Sequence, residues 1–198
     1  MKNNAPFQYF ETNDRGLLAQ YVDLRRRAFL NEYPWLSADF GAEDETDRTS
    51  HIVVAVRDNH VGGGGRLTIS TPELPRRLPL EEGGFSLGDC GTLKHLALGQ
   101  SPYAEISRMA VEPGSSSQGR RVSLGLALEL CLVAARAGID TIFSICPDGP
   151  AKINQLNARI LGVTFRKYDR LPTVYGKDMW LCCFTGVRSV GSAGTEAA

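Results

Sequence analysis

The chain has 198 residues, 42% of them hydrophobic and 22% charged, the composition of an ordinary globular domain. A chain of this size buries roughly 70% of the surface it exposes when unfolded and needs no disulfide support. Its 22 basic and 22 acidic side chains cancel, which excludes a bulk basic field for nucleic acid or an anionic membrane. Asn13 or Asp14 caps a helix over residues 17–30, where Leu17, Leu18, Tyr21 and Leu24 recur at helical spacing, and Pro34 ends it. Residues 37–50 are polar and acidic and read as a loop. HIVVAVR reads as a strand, Asp58-Asn59-His60 as a turn, and Gly65 to Ile69 as the returning strand of a hairpin.

Residues 72–101 are rich in Pro and Gly, and read either as a loop excursion or as a short helix followed by irregular chain. A strand over 104–111 comes next, then a helix over 122–137 stopped by Gly138. An apolar strand over 139–146 precedes a helix over 151–161 that ends on Gly162. Strands over 163–168 and 179–184 close the pattern. The expected organisation is one domain over 1–188 and a disordered tail over 189–198. The order of elements predicts an α/β fold, a mixed sheet with helices on both faces. That order is similar to the acetyltransferase superfamily, a likeness of architecture that does not set function.

Five cysteines (Cys90, Cys131, Cys146, Cys182 and Cys183) contain no C-x-x-C, and the three histidines (His51, His60 and His95) are scattered. Neither a disulfide framework nor a metal site is expected. No run approaches the roughly 20 apolar residues that cross a bilayer, and MKNNAPFQYFETND carries no apolar signal core, so a cytoplasmic protein is expected.

Three clusters carry chemistry. Arg25, Phe29 and Trp35 form R-x3-F-x5-W, with Arg25 and Phe29 on one helix face; a cation beside two aromatics suits a ligand with an anionic end and a flat ring, or one that is itself cationic. The plainer alternative is a core Phe29 and Trp35 with a solvated Arg25. Asp44 and Asp47, with Arg66 about twenty positions on, can hold an ammonium or sulfonium group and a carboxylate, or they are a solvated acidic run. Glu105-Ile106-Ser107-Arg108 lies on a strand, where alternation separates Glu105 and Ser107 from Ile106 and Arg108 unless twist or a bulge reunites the charges. A structural ion pair is the alternative there.

Together, R-x3-F-x5-W, D-x2-D, G-x-x-R-L and E-x-S-R, in this order, resemble the signature of the acyl-homoserine-lactone synthases, the autoinducer synthases of bacterial quorum sensing. The resemblance covers residues 21–111 and continues more loosely over 125–167; the interval from Arg66 to Glu105 is longer than the family pattern. It implies transfer of an acyl group from acyl carrier protein or acyl-CoA to the amine of S-adenosylmethionine, then lactonisation and loss of methylthioadenosine. No cofactor is implied beyond these substrates. On this resemblance Asp44 and Asp47 face the cationic methionine portion, Arg25 and Arg66 orient the carboxylate and the aspartates, and Phe29 and Trp35 close over the nucleotide. Glu105, Ser107 and Arg108 form the catalytic strand, with Glu105 accepting the amine proton through water. Arg120, Arg121, Arg159, Arg166 and Lys167 are candidates for docking the acidic carrier, or are solvated surface charge.

The rival reading is an N-acyltransferase using acetyl-CoA or another acyl donor on a different amine. Such enzymes carry Q/R-x-x-G-x-G/A at a helix start, which Gln118 to Ser123 matches poorly, since Arg121 and Ser123 stand where glycines are wanted; a start at Arg120 gives R-x-x-S-x-G. A non-catalytic binding module on the same fold is the third reading.

Overall fold

The structure, a computed structural model, describes residues 5–37, 39–82, 86–87, 90–96, 98, 100–114, 116–174 and 176–190. In chain order the elements are β1 (Gln8–Glu11), α1 (Arg15–Glu32), α2 (Glu45–Arg48), β2 (His51–Arg57), β3 (His60–Ser70), α3 (Pro79–Glu82), a 3-10 helix (Gly91–Leu96), β4 (Tyr103–Val111), α4 (Ser116–Arg136), β5 (Thr141–Cys146), α5 (Asp148–Leu161), β6 (Thr164–Val174), β7 (Lys177–Thr185) and a closing 3-10 turn (Val187–Ser189). The strands hydrogen-bond in the order β1-β2-β3-β4-β5-β7-β6. β4 and β5 pair in parallel, whereas β1–β2, β5–β7 and β6–β7 are antiparallel, so the sheet is mixed as expected. The chain forms two compact units, Met1–Arg66 with Arg108–Leu130, and Leu67–Ser107 with Cys131–Ala198.

In the first unit, α1 starts where Asp14 accepts the Leu17 amide and ends at the Tyr33 cap, just before Pro34. Tyr21 and Leu24 pack on Ile52, Val54, Val56, Val61 and Ala110. The Asp58-Asn59 turn has positive φ at both residues, the geometry of a tight hairpin. The returning strand begins at His60 and runs straight through Gly62-Gly63-Gly64-Gly65, five residues before the expected start. The glycines are there because both faces are crowded. A Cβ on Gly64 would meet the Tyr21 ring of α1, and one on Gly63 would lie 2.8 Å from Val122 of α4. Neighbouring residues of a strand point to opposite faces, so α1 and α4 cover the two faces of β3. β1 escaped the sequence reading because it is a four-residue edge strand, and α2 because its four residues lie in an acidic run.

In the second unit, the 72–101 stretch holds α3 and the first 3-10 helix; residues 83–85, 88, 89, 97 and 99 lie outside the described set. α5 ends on Gly162 at φ 72° and lies on Cys146 and Cys182, with Phe165 and Trp180 beside them. The tail departs from expectation at its start. The Ser189 hydroxyl donates to the Gly186 carbonyl at 2.6 Å and Val190 is buried; residues 191–198 lie outside the described set. Among the described residues no helix is long and apolar enough to cross a membrane, and no group of three or more His, Cys, Asp or Glu side chains could hold a metal ion. All five cysteines are free, and burial pushes the Cys131 thiol up to about 12.

Candidate functional site

A four-residue helix has little stability of its own; α2 forms because Asp44 and Asp47 cap it reciprocally. The Asp47 amide donates to Asp44 Oδ1 at 2.9 Å, and the Asp44 amide donates to Asp47 Oδ2 at 3.0 Å. Two arginines then lock the box. Arg25, with no exposed surface, donates from Nη1 and Nη2 to Asp47 Oδ1 and Oδ2 at 2.9 and 2.7 Å, and from Nε and Nη2 to the Gly41 and Ala42 carbonyls at 2.7 and 2.6 Å. Arg66 Nη1 donates to Asp44 Oδ1 at 2.7 Å and to Asp47 Oδ1 at 3.0 Å.

In this network Arg25 orients Asp47, one of the two aspartates. Each Asp47 oxygen already accepts two hydrogen bonds, about the capacity of a carboxylate, so it has nothing left to offer a cationic ligand. Burial pushes the Asp47 carboxyl up, but the hydrogen bonds from Arg25 and the Asp44 amide, with the charges of Arg25 and Arg66, outweigh it and hold the carboxyl below its ordinary range. Burial likewise pulls the Arg25 guanidinium down, and its bonds to Asp47 and its proximity to Tyr21 overcome that, so it stays charged. Arg25 and Asp47 are the frame. Asp44 differs: its side chain is 35% exposed against 9% for Asp47, and its Oδ2 faces Arg108 Nη2 at 3.5 Å.

Of the third cluster, Arg108 joins the first two. Its φ is +56°, the left-handed region that a non-glycine residue rarely adopts, and this breaks the alternation of β4. The Tyr21 hydroxyl holds the strained residue by donating to the Arg108 carbonyl at 2.7 Å. The Arg108 guanidinium lies over Phe40 at 4.9 Å and Phe29 at 5.8 Å. Phe29 and Phe40 pack 5.5 Å apart, and Tyr33 links Phe29 to Trp35, which is 55% exposed. Among these five charged side chains three arginines face two aspartates, leaving one positive charge in excess beside an aromatic cluster. Arg25, Phe29, Asp44, Asp47, Arg66 and Arg108 are thus brought together, with Trp35 at one remove. Tyr21, Tyr33 and Phe40 were missed. Tyr21 was legible, four residues before Arg25 on the same helix face; Phe40 carries no local signal.

In the second unit, Glu105 is buried on β4 and its Oε2 accepts the Leu80 amide of α3 at 2.8 Å. Glu81, also buried and not foreseen, accepts the Leu78 amide at 3.0 Å and the Leu87 amide at 3.1 Å. The Pro/Gly-rich stretch therefore folds onto Glu105, which serves as a partner for its backbone. Ser107 is half-buried. Ser144 on β5 has a buried hydroxyl with no hydrogen-bond partner among the described residues, an unused polar group of the kind a ligand atom satisfies.

The basic residues are divided between the two units. Arg120 and Arg121 are exposed in the first turns of α4, in the first unit, and Arg159 is exposed on α5, in the second. Arg166 and Lys167 are neighbours on β6 and point to opposite faces of the sheet: Lys167 bonds Asp148 at 2.9 Å and lies over Trp180 at 3.8 Å, on the α5 side. Gln118 to Ser123 lie wholly inside α4, so Arg121 and Ser123 sit beyond the first residues, whose amides a helix leaves open.

The mixed α/β fold, with helices flanking the sheet, is similar to that of several solved structures. It is similar to the solved AHL synthase LasI at a TM-score of 0.61 and 17% identity, over 90% of this chain and 88% of that one. It is similar to BjaI, a CoA-dependent acyl-homoserine lactone synthase solved with MTA, at 0.60 and 18%, over 93% and 86%. It is also similar to FeeM, an N-acyl amino acid synthase from uncultured soil microbes, at 0.66 and 11%, over 98% and 100%. At these identities the likeness is one of fold. No protein-family model and no curated protein sequence matches the chain.

Proposed function

We propose that this chain is an acyl-homoserine-lactone synthase, moving an acyl group from a thioester of acyl carrier protein or coenzyme A to S-adenosylmethionine. The observation that carries the reading is the arginine–aspartate clamp, whose Asp44 faces Arg108 at 3.5 Å while Arg108 lies over Phe29 and Phe40. A carboxylate, a guanidinium and aromatic faces match the sulfonium, carboxylate and adenine of that acceptor. In the first step the amine nitrogen attacks the thioester carbonyl; a C–N bond forms, the C–S bond breaks, and the thiol leaves. In the second, the acceptor's carboxylate attacks its own γ-carbon, the C–S bond of the sulfonium breaks, and neutral methylthioadenosine departs.

Asp44 faces the cationic portion and Arg108 the carboxylate or the acyl carbonyl. Phe29 and Trp35 cover the nucleotide, and Arg25, Asp47 and Arg66 hold these groups in place. Glu105, through water, takes the amine proton, with the Ser107 hydroxyl beside it in sequence. An α-amino group of pKa about 7.7–8.0 is already roughly one-tenth neutral near pH 7, so positioning carries most of the acceleration.

Purified protein given S-adenosylmethionine and an acyl thioester is expected to release methylthioadenosine in step with free thiol, followed by chromatography and a thiol reagent. Thiol release with an amino-acid or other amine acceptor and no methylthioadenosine overturns the reading in favour of an N-acyltransferase, which the likeness to FeeM keeps as the second reading. No turnover with any donor points to a binding module.

Docking of the acidic carrier is assigned to Arg120 and Arg121, the adjacent exposed pair. Charge reversal of both is expected to lower kcat/KM for a carrier-bound donor about tenfold, by removing steering. A minimal thioester donor should be unaffected, and the defect should shrink with salt. Equal loss with both donors places the damage in the fold or site.

A further inference from the structure

The register of the second unit puts Thr141 of β5, Cys183 and Thr185 of β7 and Arg166 of β6 on one face, because Thr141 pairs with Thr185 and Arg166 with Cys183. The opposite face carries Cys182 and Phe165 and is covered by α5. On the first face a cleft of about 470 Å³ opens between this corner of the sheet and the first 3-10 helix, which supplies His95 and Leu96. That volume lies within the range of small-molecule sites.

Its chemistry is cationic. Arg166 and Arg188 line it, and among the described residues neither pairs with a carboxylate. The carboxylate in the lining, Asp140, is engaged by backbone: Oδ1 accepts the Arg188 amide at 3.2 Å and Oδ2 the Gly186 amide at 3.4 Å. Arg188 Nε donates to the Gly138 carbonyl at 2.7 Å, which fixes the side chain while its two terminal nitrogens keep their donors. The Tyr168 hydroxyl lies 3.4 Å from His95 Nε2 and is hydrogen-bonded to Arg166, so these three form a chain along one wall. Two guanidiniums against one amide-bound carboxylate leave the cleft positive, and Thr141 and Thr185 add hydroxyls.

We propose that this cleft is a binding site for a small organic anion of up to mononucleotide size, held through a phosphate or carboxylate by Arg166 and Arg188. The site is separate from the residues assigned above to the acyl-transfer steps; of the carrier-docking candidates read from the sequence, Arg166 lines it. Two guanidiniums provide bidentate geometry for either anion, so the probes must tell the sources apart.

Calorimetric titration of the full chain at low salt with inorganic phosphate, glycerol 3-phosphate, adenosine 5′-monophosphate and succinate tests it. Saturable one-to-one binding by a phosphate probe or by succinate is expected, and the probe that binds names the source. Loss of one charge-assisted contact should weaken that binding about tenfold or more in Arg166→Gln. Arg188→Gln also loses the bond to Gly138 and is accepted only if it melts like the parent; Arg166→Gln, whose side chain anchors no backbone, keeps the test decisive. No saturable binding by any probe, or binding of equal strength in Arg166→Gln, overturns the proposal.

Discussion

Asp47→Ala is expected to destabilise the protein by about 3–5 kcal/mol, the cost of removing one partner of a buried ion pair. Arg25 is completely buried and Arg66 nearly so. Without Asp47, Arg25 keeps the Gly41 and Ala42 carbonyls and its contact with Tyr21, but no acidic partner of its own, and α2 loses half of its capping box. For a chain of this length the melting temperature should fall by roughly 6–20 °C, read by calorimetry or circular dichroism. Asp44→Ala, at the more exposed carboxylate, should cost about 1 kcal/mol as a lost cap and act mainly by raising KM for S-adenosylmethionine. A parent-like melt for Asp47→Ala together with a raised KM would restore Asp47 to the ligand site. The pH dependence carries a sign. The Asp47 carboxyl is held below its ordinary range in the folded state, so its contribution is complete above the ordinary carboxylate pKa and is lost as pH falls through the depressed folded value. The parent should therefore lose stability in acid more steeply than Asp47→Asn.

Glu105→Gln is expected to lower kcat about a hundredfold, the low end for a general base, because part of the amine is already neutral. Fold damage should be small, since the glutamine carbonyl can still accept the Leu80 amide as Glu105 Oε2 does. The melting temperature should stay within a few degrees of the parent. The discriminating readout is pH. Above about pH 8 the amine is mostly deprotonated and needs no base, so the rate defect should shrink there. A defect constant from pH 7 to 9 would make Glu105 a positioning residue that holds α3, and a parent-like rate at pH 7 would move proton acceptance elsewhere.

Asp14, Pro34, Gly138 and Gly162 made the helix ends legible, because caps and stops are local chemistry that any fold must satisfy. The β-branched run His51 to Arg57 and the turn at Asp58-Asn59 did the same for the hairpin. The chemistry-bearing residues were legible as types at spacings: Arg25, Phe29, Asp44, Asp47, Arg66 and Arg108 do meet. What their meeting accomplishes was not. Sequence spacing cannot say which of two aspartates has its lone pairs filled; only the positions of Arg25 and Arg66 decide that Asp47 is frame and Asp44 is the open carboxylate. Nor can alternation along β4 foresee Arg108 at positive φ, because that strain is held by Tyr21, 87 residues earlier. The four glycines from Gly62 to Gly65 look like a linker by composition and are a strand because α1 and α4 crowd both faces. Glu105 reads as one of a charge pair with Arg108, and its bond to the Leu80 amide comes only with α3 folded onto it. Local propensity and spacing act within a few residues and were determined by the sequence alone; burial, lone-pair occupancy and backbone strain depend on partners far along the chain, and only the tertiary structure supplies them.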